Sequence, residues 1–308
     1  MTRVAGVDCG TNSLRLLVAD ADTARGTLVD LVRTMHIVRL GQGVDKTRRF
    51  ADDALARTFD VCHAYASRIS ALDVERVRFV ATSASRDATN RDAFFDGVRS
   101  ILGVEVEVIS GDEEASLSFA GATRELLAVP DVPAPYLVID IGGGSTEFVL
   151  GTRDVEAARS VDVGCVRLAE RHLLSDPATP AQIEDARADV VRALELVEQV
   201  VPVAKARSVV GLAGSVTTIA ALALKLPVYD ETRVHHSRLS AGQIHEITAQ
   251  LLSMTRDQRA ALAVMHPGRA DVIGAGAIVL DTLVTRLGVD EVIVSEHDIL
   301  DGIVFSIA

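Results

Sequence analysis

Twice in this chain a short apolar run ends on an aspartate, passes through a glycine turn and returns as a second apolar run. Near the start, RVAGVDCGTNSLRLLVAD carries Asp8, Gly10 and Ser13; further on, YLVIDIGGGSTEFVLG carries Asp140, Gly142 and Ser145. Each aspartate is followed by glycine two positions later and by serine five positions later, and a third strand-like run comes next, TMHIVRL in one copy and EAARSVDVG in the other. The pattern reads as strand, tight turn, strand. Glycine admits positive φ and lets an anion come close to backbone N–H groups. An acid beside a phosphate cradle repels the phosphate unless a cation lies between them. DIGGGSTE therefore points to a Mg²⁺–phosphate site, with Asp140 and Glu147 as metal carboxylates and Gly142, Gly143, Gly144 and Ser145 around a phosphate.

Between and after these hairpins helical and extended patterns alternate. ADDALARTFDVCHAYASRISAL and RDAFFDGVRSIL have helical periodicity, RVRFVAT and VEVEVI are strand-like, and GDEEASLSFAGATRELL is a helix. TPAQIEDARADVVRALELVEQVV is a long amphipathic helix with Pro180 at its start. RSVVGLAG and EVIVSE read as strands, SVTTIAALALKL, the stretch of about 269–287 and the C-terminal HDILDGIVFSIA as helices. AVPDVPAP holds three of the eight prolines and is the expected linker. The first domain is thus expected over residues 1–128 and the second over 129–296, with a helix at about 297–308 returning to the first.

At 308 residues, 48% of them hydrophobic, the chain is long enough for two cores. Its apolar runs are too short to span a bilayer and its N-terminus lacks a signal-peptide core, so a cytoplasmic protein without membrane partners is expected. The net charge of −12 argues against nucleic acid as a partner. The excess is uneven, with 16 basic and 19 acidic residues over 1–128 against 15 and 24 over 129–308. Cys9, Cys62 and Cys165 form no CxxC and read as small buried residues.

Two hairpin-led α/β halves with one glycine-rich loop each resemble the actin-like ATPase superfamily, which includes sugar kinases, acetate kinase and the Hsp70 nucleotide domain. That resemblance implies two ribonuclease H-like domains facing each other across a phosphate cleft that can open and close. DCGTNSLRLL, RLGQGVDKT, ATSASRDATN, ISGDEEASLSF, DIGGGSTE, VGCVRLAE, GLAGSVTTIAAL and RADVIGAGA, in this order along nearly the whole chain, resemble the exopolyphosphatase/guanosine pentaphosphate phosphatase family more narrowly. The resemblance implies Mg²⁺-dependent attack of water on a terminal phosphoanhydride, in inorganic polyphosphate or alternatively in pppGpp. Longer members carry further C-terminal helical domains, so this shorter form is expected to favour short chains and to release them between cleavages; a homodimer joining two clefts would oppose this. A superfamily kinase or a nucleotide-gated assembly protein are the competing classes.

An acidic first turn, Asp112, Glu113 and Glu114, suits a helix N-terminus and does not choose between the two glutamates. The resemblance does choose: Glu114 matches the family's catalytic base. In the first loop Gly10, Thr11, Asn12 and Ser13 offer amides and hydroxyls to phosphates, Asp8 can hold metal through water, and Arg15 shares a face with Ser13. Arg86 follows a strand and can clamp a phosphate, with Ser83 beside it. Gly214 and Ser215, between a strand and a helix, suit phosphate at a helix N-terminus or close packing alone. Arg167 and Arg269 are candidates to line the cleft, and Lys46, Arg48 and Arg49 form a basic loop. His235 and His236 are adjacent with no third ligand spaced with them, so no metal site is expected there; His266 and His297 read as turn or cap residues.

Overall fold

The computed structural model describes residues 1–308 apart from Thr23, Ala24, Gly26 and Pro130, so Pro130 of the expected linker lies outside the described residues. The chain divides into two compact units, residues 1–124 with 299–308, and residues 125–298. Among the described residues no helix is long and apolar enough to cross a membrane.

In the first unit β1 (Thr2–Cys9), β2 (Ser13–Asp22) and β3 (Thr27–Ile37) form an antiparallel meander. After α1 (Val44–Thr47) and α2 (Asp52–Ala71), β4 (Arg76–Ala81) pairs parallel to β1. Then come α3 (Ser83–Asp87), α4 (Arg91–Leu102), β5 (Val106–Val108), parallel to β4, and α5 (Gly111–Thr123). The sheet order is β3-β2-β1-β4-β5. Both faces of β1 are covered, which is why VAGVDC is buried without alternation. Ala5, Val7 and Cys9 face a core with Cys62, Tyr65, Phe94 and Val98 from α2 and α4. Val4, on the other face, packs with Leu300 and Val304 of the C-terminal helix Ile299–Ser306.

The second unit repeats the plan. β6 (Tyr136–Ile141), β7 (Thr146–Gly151) and β8 (Val155–Val161) form the meander, followed by α6 (Cys165–His172) and α7 (Pro180–Glu198). β9 (Ser208–Leu212) lies parallel to β6, and then come α8 (Ala213–Ala223), α9 (Glu231–Val234), β10 (Arg238–Ser240), α10 (Ala241–Ser253), α11 (Arg256–Ala260), α12 (Ile273–Leu287) and β11 (Glu291–Val294). The helix Ile299–Ser306 is α13. The order is β10-β11-β9-β6-β7-β8, with β11 parallel to β9 and β10 an antiparallel edge. A three-strand meander whose first strand continues into parallel strands is the ribonuclease H-like arrangement, and its duplication is the plan of the actin-like ATPase superfamily. β10, α10 and α11 are additions that periodicity alone does not announce. Their start signals are nonetheless written in the chain. Ser240 with Gln243 and Thr255 with Gln258 form reciprocal capping boxes, as Thr179 and Gln182 do ahead of α7.

Candidate functional site

In an α/β sheet of this kind functional groups collect beyond the C-terminal ends of the parallel strands. In the first unit those ends are Cys9, Ala81 and Val108, tied together by Thr82 N–H to Cys9 O at 3.2 Å and Ile109 N–H to Ala81 O at 3.2 Å. The loop after β1 closes with Gly10 N–H donating to Ser13 O at 3.0 Å. Its carbonyls are held from one side: Thr11 O accepts from Gly41 N at 2.8 Å, and Asn12 O from Val38 N at 3.1 Å and Arg39 N at 2.9 Å. In a planar trans peptide the N–H after a carbonyl points the opposite way. The amides of Asn12 and Ser13 therefore face away from the 38–41 segment. Gly41 permits the approach, since a Cβ there would lie 2.4 Å from Thr11 Cγ2. The buried hydroxyls of Thr11 and Ser83 share a 2.9 Å hydrogen bond. Asp8, 3% exposed, faces Arg15 across the β1–β2 register, and the guanidinium reaches its carboxylate at 2.7 and 2.8 Å.

Glu113 and Glu114 part company at the start of α5. Ser110 caps the helix by accepting the Glu113 N–H at 3.1 Å. Glu113 is exposed and its carboxylate is taken by Arg78 at 2.7 Å, which also holds Glu107 and Ser306. Glu114 is 9% exposed and accepts from Arg86 Nη1 at 2.8 Å. The same nitrogen donates to Ile109 O at 2.9 Å, and Nε and Nη2 of Arg86 have no partner among the described residues. Lys46, Arg48 and Arg49 are partly or fully exposed, with Arg48 paired to Asp87 at 3.1 Å.

The second loop is built on the same backbone. Gly142 N–H donates to Ser145 O at 3.0 Å, the counterpart of the Gly10–Ser13 bond. The start of α6 supplies the outer wall. Cys165 N donates to Gly142 O at 2.9 Å, Val166 N to Gly143 O at 2.9 Å and Arg167 Nε to Gly144 O at 2.7 Å. Three successive carbonyls thus point to α6, and the N–H groups of Gly143, Gly144 and Ser145 point away from it. Gly164 makes this possible, because a Cβ there would stand 2.4 Å from Gly143 O. Arg167 is 6% exposed; it braces the loop from behind. Asp140 and Glu147 are 7% and 1% exposed and sit directly opposite each other in the β6–β7 register. Ser160 on β8 donates to Glu147 Oε1 at 2.7 Å. Two buried carboxylates at facing positions, with oxygen donors only, suit a hard dication.

At the β9–α8 junction Ala213 adopts φ 68°, and Gly214 lies under Arg269, whose Nη1 donates to Gly214 O at 3.2 Å and Thr218 Oγ1 at 3.3 Å. A Cβ on Gly214 would fall 2.2 Å from the Arg269 guanidinium carbon. The Ser215 hydroxyl turns inward, against Gly276. Burial pushes the Cys165 thiol up and the Cys9 thiol well up, so neither is a thiolate at neutral pH.

Residues 17–308 match the model of the Ppx/GppA phosphatase family. The chain belongs to that family. It is 52% identical to exopolyphosphatase 2 of Mycobacterium tuberculosis, over 100% of this chain and 99% of that one. A crystal structure of an exopolyphosphatase-like protein superposes with a TM-score of 0.94 at 44% identity, covering 99% of this chain and 98% of the other. The Aquifex aeolicus PPX-GPPA enzyme superposes with a TM-score of 0.81 at 31% identity, over 99% of both chains.

In this Ppx/GppA chain both loops and their acids are legible in the sequence, but not what holds them. The 38–41 segment and Gly164–Arg167 are the missing parts. Their signal was present as a second repeat, since RLGQGV follows the first meander as VGCVRL follows the second. Arg78 and Ser160 carried no such signal, because their roles arise from strand neighbours.

Proposed function

We propose that this protein is an exopolyphosphatase that removes the terminal phosphate of inorganic polyphosphate with water and Mg²⁺. The observation that carries the reading is the full-length 52% identity to a protein named exopolyphosphatase 2, joined to two phosphate-loop hairpins of the kind described. Glu114 is the base. It orients the attacking water and takes its proton. The water oxygen bonds to the terminal phosphorus, the bridging P–O bond breaks, and orthophosphate leaves a chain shorter by one unit. Arg86 holds the Glu114 carboxylate through one nitrogen and offers Nε and Nη2 to phosphoryl oxygens as a bidentate pair. The amides of Gly143, Gly144 and Ser145, and of Asn12 and Ser13, bind phosphate oxygens, with Gly10, Thr11 and Gly142 shaping the two turns. Asp140 and Glu147 hold the metal, with Asp8 contributing through water and Arg15 fixing the Asp8 carboxylate. Bound there, Mg²⁺ neutralises charge on the phosphoryl oxygens. Arg269 holds the start of α8 through Gly214 O, and Ser215 packs there against Gly276.

Phosphate release from polyphosphate of defined lengths, pppGpp and ATP, with and without Mg²⁺, tests the reading. Mg²⁺-dependent release from polyphosphate is expected. Release from pppGpp alone would make the protein a pppGpp phosphohydrolase, and ATP consumption only with an added acceptor would make it a kinase. The acid excess over 129–308 repels distal phosphates, so cleavage is expected to be distributive and best on short chains. A descending product ladder is the predicted gel pattern; full-length polymer persisting beside free phosphate would show processive cleavage instead.

A further inference from the structure

His235 was expected to lack further ligands, yet the fold of the second unit supplies them. Glu125, the first residue of that unit, and His297, next to its last, both reach the C-cap of α9. His235 Nε2 lies 3.3 Å from Glu125 Oε2, and His297 Nδ1 lies 3.4 Å from the same oxygen. One ligand atom from each residue falls within 4.8 Å of the other two. A tetrahedral ion with bonds of about 2.0–2.1 Å sets its ligand atoms about 3.3 Å apart. We propose that Glu125, His235 and His297 form a binding site for a transition-metal dication of the Zn²⁺ class, on residues other than those of the phosphate loops.

The donor set argues for that class. Two imidazoles and one carboxylate match Zn²⁺ and its neighbours, whereas Asp140 and Glu147 offer oxygen alone. Three protein ligands leave a fourth position for water. Both histidines are half-buried and Glu125 is exposed, so an ion has access. The rings are held in place: His235 stacks on His236 with centroids 3.7 Å apart and an interplanar angle of 29°, and tilts against His297 at 4.6 Å. His236 is itself fixed, with its N–H on Val294 O at 2.7 Å, φ of 59° and a buried Nε2 that has no hydrogen-bond partner among the described residues. Burial, with His236 and His297 nearby, lowers the His235 pKa to about 4, so the ring is neutral at physiological pH and no excess proton competes with a metal. One contact must yield. His235 Nδ1 accepts the Glu296 N–H at 3.1 Å, which places the ring proton on Nε2, facing Glu125. Metal takes that position, the proton moves to Nδ1, and the Glu296 amide bond is given up. This exchange sets the affinity below that of a preformed zinc site.

The test is calorimetric titration of Zn²⁺ into the full chain after chelator treatment, in a large excess of Mg²⁺, with Co²⁺ absorption as the reporter of tetrahedral nitrogen–oxygen ligation. One equivalent is expected to bind despite the Mg²⁺. Its affinity should fall at least about tenfold in Glu125→Gln, a substitution at an exposed position, and in His297→Ala. His245→Ala serves as the control; that ring bonds to Asp281, which Arg187 also holds, on other helices of the same unit. Absence of Zn²⁺ binding, displacement by Mg²⁺, or an equivalent unchanged in both variants while circular dichroism shows them folded would overturn the proposal. Loss of binding in His245→Ala alone would do the same, by moving the site elsewhere.

Discussion

In the first unit Arg15 faces Asp8 across the β1–β2 pair; in the second, Glu147 faces Asp140 at the corresponding register. The backbones of the two hairpins are alike down to the Gly-to-Ser bond that closes each turn, 3.0 Å in both. One side chain therefore separates a hairpin whose aspartate faces an arginine from one whose aspartate faces a glutamate. The walls differ too. The first loop is held by an irregular segment where an added Cβ on Gly41 would first meet the Thr11 side chain, the second by a helix start where an added Cβ on Gly164 would first meet the Gly143 backbone. Duplication supplies the turn twice, and the facing positions give the two hairpins different charge.

The largest expected effect tests whether the base belongs to the first unit alone. Glu114→Gln should lower kcat by ~10²–10⁴, with Glu113→Gln near wild type because Glu113 is engaged by Arg78 at the surface. Loss in Glu113→Gln with activity kept in Glu114→Gln would reverse the assignment.

Next comes the contrast between Arg15 and Glu147. Asp140→Asn and Glu147→Gln should weaken Mg²⁺ dependence curves by about 10–100-fold. Without metal the same changes should raise stability slightly, by about 0.2–1 kcal/mol, because like charges at facing strand positions repel. Arg15→Gln should do the opposite and lower it by about 1–3 kcal/mol, since it removes the cation from a buried carboxylate. Urea unfolding in EDTA measures all three; equal signs in both hairpins would break the comparison.

The walls give a smaller difference. Gly164→Ala drives a methyl group into backbone and should cost about 1–3 kcal/mol, together with loss of phosphate affinity. Gly41→Ala meets side-chain atoms first, Thr11 Cγ2 at 2.4 Å and Ala84 Cβ at 2.9 Å, so its cost should be lower. Thermal melts of the two variants decide this, and equal losses would show that the walls are equivalent.

The smallest effect concerns pH. His235 sits in the second unit with a pKa lowered from 6.5 to about 4 by burial. A depressed histidine contributes stability above about 6.5, and the contribution is lost as pH falls towards 4, because the unfolded chain takes up the proton first. Hydrogen exchange should show the second unit loosening over that window, and His235→Asn should flatten the slope; an unchanged slope would assign it to another group.

Much of this was readable in the chain. RDAFFDGVRSIL is helix α4 over the same residues as the periodic pattern, because an amphipathic period is a local property. The two Asp-Gly loops were readable for the same reason, and so were the buried cysteines. α10 was not read, although Ser240 and Gln243 mark its start, because its Ala-Gly opening weakens the helical period. Arg167 and Arg269 read as candidates to line the cleft; the structure has Arg167 donating to the loop carbonyl of Gly144 and Arg269 to the Gly214 carbonyl at the start of α8, contacts that no periodicity could have placed.

By itself the sequence determined the duplication, the strand–turn–strand units, the acids that flank each turn and the order of helices and strands, since each depends on residues within one turn or one pleat of each other. Only the tertiary structure decided which acid meets which partner. Arg86 reaches Glu114 across 28 residues, and His235 meets Glu125 across 110. Such pairs follow from strand register and from which strand ends lie side by side, and both are set by packing the two faces of a sheet. A one-residue slip would turn Glu147 to the other face while leaving every local pattern intact.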